Sequence, residues 1–412
     1  MNKSPRLVAL ETLYSIFYDG SYSNIALDKA LSEIKENKAF ISALVYGVTE
    51  RKITLDYFID KYAQGRIKPK VRIVLWLGAY QLLFMDKVPS SASINESVKL
   101  VKEIKQDYYS KLVNAVLHKI DNDRQIPDDL SVKYSVPENL INMWKKQYGE
   151  DVLNEFLPCI NDKPPLFAIP NKKFVNSDEL LYELECDGIL GEAYDEFVLI
   201  ENANDLTDSK AFKNGLFYIE DLSSFNCANA LDALGDDLVL DMCSAPGGKA
   251  FTISQSMNNS GKIYCYDLHE HRLNLIKNSA KRLSIDNIYT GVNDATVYNE
   301  NIPKADKILC DVPCSGFGII RRKPEIRYKD LDSVKDLPQI QYKILETSSR
   351  YLKDGGRIIY STCTLNIKEN ENVVNKFLKD HSGYKLLKDK TVFPSTVGGD
   401  GFYYAIMVKN EN

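Results

Sequence analysis

A chain of 412 residues, 44% hydrophobic and 26% charged, has the balance of a folded globular protein and is too long for one ordinary core, so two or three domains are expected. The most apolar run, residues 71–84, is interrupted by Arg72, Gly78 and Gln81, and no run approaches the ~20 apolar residues of a membrane-spanning helix. A net charge of -5 speaks against a chain that is basic throughout, as many nucleic-acid binders are, but not against local basic patches.

The opening MNKSPRLVAL leads straight into an amphipathic pattern, without the apolar core and small-residue cleavage site of a secretory signal, so a cytoplasmic location is expected. Leu7, Leu10, Leu13 and Phe17 recur at helical spacing. Similar patterns run over 24–34, 39–62, 70–85, 92–104 and 110–120, and they predict a helical bundle over residues 1–125. The polar stretch 121–129, with Pro127, reads as a linker. A helix is predicted over 137–157, with Leu140, Trp144 and Tyr148 on one stripe, and Pro164-Pro165 ends it. Residues 126–165 are thus read as linker and helical segment, and 166–220 as a small α/β subdomain with one helix over 177–187. From about 236 the pattern becomes repetitive. Strands predicted at 238–241, 262–267, 287–292, 307–311 and 357–360 alternate with helices at 248–257, 270–283, 337–352 and 368–378. This predicts a parallel, doubly wound sheet within a domain spanning 221–412, with 401–409 as an added edge strand.

The first strand of that domain runs into Asp241-Met242-Cys243-Ser244-Ala245-Pro246-Gly247-Gly248-Lys249, and a helix follows. Small residues at such a turn let the backbone approach a ligand and aim a helix amino terminus at it. Asp267 ends the second strand nineteen residues after Gly248, where nucleotide-binding sheets place an acid for ribose hydroxyls. Asp294 follows the third strand, in position to receive an adenine amino group, and Asp311 ends the fourth. For any single one of these acids a helix N-cap is as good a reading. The layout leaves both a dinucleotide and S-adenosyl-L-methionine open, although the turn is not G-x-G-x-x-G, which weakens the nicotinamide reading.

Of the eight cysteines, no pair has zinc-ligand spacing and there are only four histidines, so no metal site and no disulfides are expected. Cys159, Cys186, Cys227, Cys265 and Cys310 read as small buried hydrophobes, and Cys243 as a packing residue of the turn. Cys314, just past the fourth strand, and Cys363, just past the fifth, fall in loops on the ligand edge. A thiolate there suits covalent catalysis on a pyrimidine. Addition to C6 makes an enamine whose C5 attacks an activated methyl group, a step that unactivated C5 performs poorly. Such a thiol, with an ordinary pKa of ~8.5, needs a site that favours the thiolate.

The segments DMCSAPGGK, DVPCSGFGIIRRKPEIRY, YSTCTLNIKENENVV and GDGFYYAIMVK, with the helix LPQIQYKILETSSRYLKDGG, resemble in order the motifs of the RNA 5-methylcytosine methyltransferases of the NOL1/NOP2/Sun family. The likeness covers about 200–409. ISALVYGVTERKITLDYFIDKY and VPSSASINESVKLVKE, with KLVNAVLHKI, resemble the helical NusB fold, an RNA-binding bundle. The resemblance implies three parts: an all-α NusB-like bundle, a small RRM-like α/β subdomain, and a Rossmann-like methyltransferase domain. It implies Cys363 as the nucleophile on C6 and Cys314 in proton removal or product release. Asp311 would hold the cytosine ring nitrogen, and Lys249 would lie near the reacting centre. Cys243, Ser244, Ala245, Pro246, Gly247, Gly248, Lys249, Asp267, Asp294 and Asp311 would bind S-adenosyl-L-methionine. The substrate implied is one cytosine of 16S rRNA, cytosine 967 in the family's numbering, free or in an early small-subunit assembly intermediate, methylated by a monomer. The basic run Arg321, Arg322 and Lys323 would meet RNA phosphates. Glu220-Asp221 departs from the family's usual Gln-Asp, and Phe167 to Asn171 lacks the usual Arg. The alternatives are the same chemistry on tRNA or another rRNA cytosine, and a non-catalytic NusB-like RNA-binding protein.

Overall fold

Apolar residues at helical spacing assemble the amino-terminal helices: α1 (Pro5–Tyr18), α2 (Ser23–Ser32), α3 (Lys38–Tyr62), α4 (Pro69–Phe84), α5 (Ser90–Glu103) and α6 (Ser110–Asn122). Local chemistry sets their starts. Ser4 accepts the Leu7 N–H ahead of Pro5, and Pro69 opens α4 at a position that needs no amide donor. The computed structural model describes residues 3–202, 206–395 and 398–411. Helix α4 is buried on nearly every side, through Val71, Ile73, Val74, Leu75, Trp76 and Leu77, and is the centre of the bundle. Its polar atoms are satisfied in place: Trp76 Nε1 donates to Asp56 Oδ1 at 2.7 Å, and Arg72 pairs with Asp56 and Asp60.

The bundle continues through α7 (Leu130–Tyr134), α8 (Glu138–Tyr148) and α9 (Glu150–Phe156). The single helix predicted over 137–157 is two, because Gly149 takes a left-handed φ of +89° and separates them. These helices form one unit, Met1–Asp162, which also includes Ile320–Asp330 from far along the chain. Arg327 anchors that segment. It is 1% exposed and donates to the Glu50 carbonyl at 2.9 Å, the Ser135 carbonyl at 3.2 Å and Asn161 Oδ1 at 2.9 Å. Tyr328 donates to the Thr49 carbonyl at 2.7 Å, and Glu325 Oε1 accepts the Ser23 N–H at 3.1 Å.

The second unit is Lys163–Ile319 with Leu331–Asn412. Its first part follows a βαββαβ order: β1 (Leu166–Pro170), α10 (Ser177–Cys186), β2 (Gly191–Ala193), β3 (Val198–Ile200), α11 (Lys210–Lys213) and β4 (Phe217–Ile219). The four strands form an antiparallel sheet in the order β2-β3-β1-β4, the arrangement of an RRM-like module. Phe167, Ile169 and Tyr218 from this sheet share a core with Phe251 and Ile276 of the following domain.

That domain comprises α12 (Leu222–Asn229), β5 (Leu238–Asp241), α13 (Gly248–Ser256), β6 (Lys262–Asp267), α14 (Glu270–Arg282), β7 (Ile288–Val292), β8 (Ala305–Asp311), α15 (Leu337–Ser349), β9 (Leu352–Thr362), α16 (Glu371–Asp380), β10 (Tyr384–Val392) and β11 (Phe402–Lys409). The seven strands run β10-β11-β9-β8-β5-β6-β7. Strands β5 to β9 are parallel, while β11 lies antiparallel to β9, and β10 to β11. The predicted edge strand is therefore not at the edge. Strand β11 is nearly fully buried between two neighbours, and β10 takes the edge. The chain winds from β5 to β6 and β7 on one side, then crosses to β8 on the other. The carboxyl ends of β5 and β8 thus flank a topological switch, where such sheets bind ligands.

Candidate active site

Strand β5 delivers Asp241 to the switch point, and the turn after it is held from both sides. The Met242 N–H donates to the Leu309 carbonyl at 3.0 Å and the Ser244 N–H to the Tyr266 carbonyl at 2.8 Å. Gly247, with φ at +108°, caps α13 in a conformation that a side chain would strain. Around this turn lies a cavity of about 200 Å³, walled by Asp241, Cys243 to Pro246, Gly248, Lys249 and Asp311. Its remaining wall is Ile219, Glu220, Asp221 and Ser224, from the end of β4 and the start of α12. Asp241 Oδ1 and Ser244 Oγ are buried with no hydrogen-bond partner among the described residues. Such atoms are costly unless something satisfies them. A ligand rich in donors and acceptors fits this wall.

Electrostatics in the cavity turn on one cation. Lys249 Nζ lies 2.7 Å from Asp311 Oδ2 and over the Phe402 ring at 5.2 Å. Burial works against the Lys249 charge, but Asp311 and Glu220 outweigh it and hold its pKa above the ordinary lysine value. Burial pushes Glu220 up to about 7 against the pull of Lys249, and raises Asp241 to about 7 as well. Thr252 Oγ1 donates to Glu220 Oε2, and Tyr218 OH lies 2.8 Å from Thr252 Oγ1.

The other predicted acids are placed differently. Asp267 is buried at the end of β6, pairs with Arg272 at 3.0 Å and accepts the His269 N–H at 3.0 Å. Asp294 is exposed and closes its own turn, accepting from the Thr296 N–H at 2.9 Å and hydroxyl at 2.7 Å. Neither is in the wall of the cavity.

The two predicted reactive cysteines come together. Cys314 Sγ and Cys363 Sγ are 3.3 Å apart, in loops past the adjacent strands β8 and β9. Asp311 bridges to this pair: its Oδ1 accepts the Ser361 hydroxyl at 2.8 Å, two residues before Cys363. The hydrogen bond to Cys363, burial, and the carboxylates of Glu369 and Asp311 hold the Cys314 thiol well above its ordinary pKa. The glycines of the motif permit the approach. The Gly318 N–H donates to the Cys363 carbonyl at 3.1 Å, and a Cβ on Gly318 would run into the Gly401 carbonyl. Every described cysteine is free, and Cys186, expected among the buried ones, is exposed at the end of α10. Its helix carries few apolar residues on that side, which the residue type alone does not reveal.

The basic run after Cys314 corrects one expectation. Arg321 is 4% exposed within the helical unit, so it is not a free phosphate contact, whereas Arg322 and Lys323 are half-buried. Sequence reasoning also missed Glu220, Asp221, Ser224 and Asp241 as cavity wall. For Glu220 and Asp221 the signal was an acid pair just after a short strand, and for Asp241 its place at the head of the turn motif.

Comparison with known proteins places the chain in a family. A family profile described as 16S rRNA methyltransferase RsmB/F matches residues 228–408, and one described as the NusB family matches 3–122. The chain is 33% identical over 443 residues to the probable ribosomal RNA small subunit methyltransferase B of Bacillus subtilis (strain 168), covering 98% of this chain and 99% of that one. It is 28% identical to ribosomal RNA small subunit methyltransferase B of Photorhabdus laumondii, covering 98% of each. Among solved structures, that of PH0851 superposes with a TM-score of 0.82 at 26% identity, covering 99% of this chain and 100% of that one. Sustained along both chains, this similarity makes the chain a member of the ribosomal RNA small subunit methyltransferase B family.

Proposed function

We propose that this protein methylates C5 of one cytosine of 16S rRNA, with S-adenosyl-L-methionine as methyl donor and Cys363 as covalent nucleophile. The observation that carries the reading is the pair of sulfurs 3.3 Å apart beside Asp311, a residue that also lines the cavity. A single nucleophilic thiol would explain addition to the base; a second one at hydrogen-bond distance supplies a group for the later proton transfer. When bound, the donor supplies an electrophilic methyl group. Residues 241–249 and Asp311 would hold it, with Asp241 and Ser244 contributing the polar atoms that lack partners.

On this reading the Cys363 sulfur bonds to C6, and C5 gains the nucleophilic character to form its bond to the methyl carbon as the donor's sulfur–carbon bond breaks. The C5 proton then passes to the Cys314 sulfur, once that thiol has given up its own proton to solvent. The C5–H electron pair restores the ring double bond as the C6–sulfur bond breaks and Cys363 leaves as its thiolate. Asp311 would meet the cytosine ring nitrogen, and Lys249 would keep Asp311 oriented. A cytosine within a helix must leave the stack to reach such a site. The protein would act as a cytoplasmic monomer on free RNA or on an early assembly intermediate. No described helix is long and apolar enough to cross a membrane.

The test is methyl transfer from labelled S-adenosyl-L-methionine to unmethylated 16S rRNA, with mapping of the product base. One 5-methylcytosine, at cytosine 967, is expected. Transfer to tRNA alone would keep the chemistry and overturn the substrate. No transfer to any RNA would leave the non-catalytic reading.

A further inference from the structure

Glu369 lies in the turn ahead of α16 and is completely buried. Its Oε1 accepts from Ser315 Oγ at 2.6 Å and Asn366 Nδ2 at 2.8 Å. Its Oε2 accepts from the Ser315 N–H and from Gln341 Nε2, both at 2.9 Å. Four donors converge and no acceptor faces it, which is the pattern of an ionised carboxylate. All four donors are neutral, so no lysine, arginine or histidine among the described residues cancels the charge. A buried charge held only by neutral donors is expensive and asks for a reason.

The donors show what the charge organises. Gln341 Nε2 also donates to the Pro313 carbonyl at 3.0 Å, which fixes the residue before Cys314. Ser315, the residue after it, gives Glu369 both its amide and its hydroxyl. Because Ser315 Oγ donates to Glu369, the Thr364 hydroxyl 2.6 Å away donates to Ser315, and the Phe317 N–H donates in turn to Thr364 Oγ1 at 3.2 Å. Thr364 is the neighbour of Cys363. One carboxylate therefore terminates the hydrogen-bond chain that joins the two cysteine loops.

We propose that Glu369 is the positioning residue of the thiol pair: it locks the 313–317 loop onto the Cys363 loop, so that Cys314 is held against Cys363, and its charge adds to that contact in keeping Cys314 the thiol and Cys363 the nucleophile. This rests on the proposed function for the role of Cys363. The two sulfurs are otherwise near-equivalent, 3.3 Å apart at the ends of adjacent strands. What distinguishes them is that the Glu369 carboxylate takes both the amide and the hydroxyl of the residue following Cys314, whereas on its own loop it takes Asn366 Nδ2 and reaches Thr364, beside Cys363, through Ser315. The titratable groups around Cys314 are Asp311 from β8, Tyr360 and Cys363 from β9 and its end, and Glu369. Cys363, Glu369 and Asp311 each raise the Cys314 thiol, and the Lys249 ammonium is paired with Asp311.

The experiment is alkylation of the full-length protein by iodoacetamide across neutral to alkaline pH, with Cys314 and Cys363 followed separately by peptide mass spectrometry. It needs neither RNA nor methyl donor, so failure of the proposed reaction leaves its outcome intact. Glu369→Gln is expected to shift the Cys314 profile to lower pH and speed its alkylation at neutral pH about tenfold, the effect of one unit of thiol acidity. Glu369→Asp and Gln341→Met keep the charge while loosening the loop. They are expected to leave the Cys314 profile where the wild-type protein has it. An unmoved Cys314 profile in a folded Glu369→Gln protein would overturn the proposal. So would a downward shift in either charge-retaining variant, which also decides the matter if Glu369→Gln does not fold.

Discussion

The Lys249 ammonium sits 2.7 Å from the Asp311 carboxylate, and among the described residues it is the only cation in the wall of a cavity that also presents Glu220, Asp221 and Asp241. Lys249→Met would leave these carboxylates to repel one another and Asp311 free to turn. Methyl transfer is expected to fall at least about a hundredfold, the usual scale for losing one fixed electrostatic contact at a reacting centre. Single-turnover measurements with saturating RNA check this. A variant within a few-fold of wild type would show that Lys249 only packs.

The cysteine pair makes opposite predictions for its two members. Cys363→Ala is expected to abolish both methyl transfer and the covalent RNA adduct while leaving methyl-donor binding intact. In Cys314→Ala, release is impaired, so an RNA–protein band that survives a denaturing gel should accumulate. Normal turnover by Cys363→Ala would sink the nucleophile assignment. For Cys314, an absent band together with unchanged turnover would remove its role in release.

Glu220 and Asp241 tie stability to pH. Burial raises both to about 7, from ordinary values of 4.5 and 3.8. Between those values and 7 the folded protein holds protons that the unfolded chain has shed. Their contribution is therefore fully present below about pH 4 and is lost as the pH rises through about 7. Thermal melts at about pH 5 and about pH 8 should show the wild-type midpoint falling as pH rises, and Glu220→Gln should show a smaller fall. An equal or larger fall in Glu220→Gln would mean that the Glu220 carboxyl does not titrate in this window.

Arg327→Ala is a prediction about the helical unit alone. It strips the Glu50 and Ser135 carbonyls and Asn161 Oδ1 of a donor in a buried place. With each unsatisfied group costing roughly 1–3 kcal/mol, a loss on the order of 3 kcal/mol is expected after relaxation. Urea denaturation checks it, and a loss below about 1 kcal/mol would mean that water replaces the guanidinium.

The helices and the parallel strands were legible because their signals are local. Leu7 to Phe17 show a period close to 3.6, and 238–241 is a short apolar run beside a small-residue turn. The fall of Cys314 and Cys363 on neighbouring strand ends was legible for the same reason, since strand alternation fixes the edge on which each loop emerges. Strand β10 was not, because it has the composition of an exposed edge. YKLLKDKTV carries three lysines and an aspartate, and little of it is buried, which is how sheets protect an edge from pairing with other chains. Glu369 and Glu220 were missed for another reason. Glu369 sits in a polar stretch that reads as solvated surface, and Glu220 just past a short strand where an acid reads as a helix cap; only the donors from Ser315, Gln341 and Asn366, and the cavity wall around Glu220, show otherwise. Arg321 was misread in the same way, since burial by distant residues leaves no mark on a local run of charges.

The excursion of 320–330 into the helical unit bears on the order in which the polypeptide matures. Domains emerging from the ribosome usually settle one after another, starting from the amino terminus. Here the helical unit has all of its own helices once α9 has been made, yet lacks Arg327 and Tyr328 until residues 163–319 have also been translated. Its carbonyls at Thr49, Glu50 and Ser135 stay without those donors over that interval. The bundle can collapse early, but it is completed late, by the stretch of chain that has just carried Cys314 out of the exit tunnel.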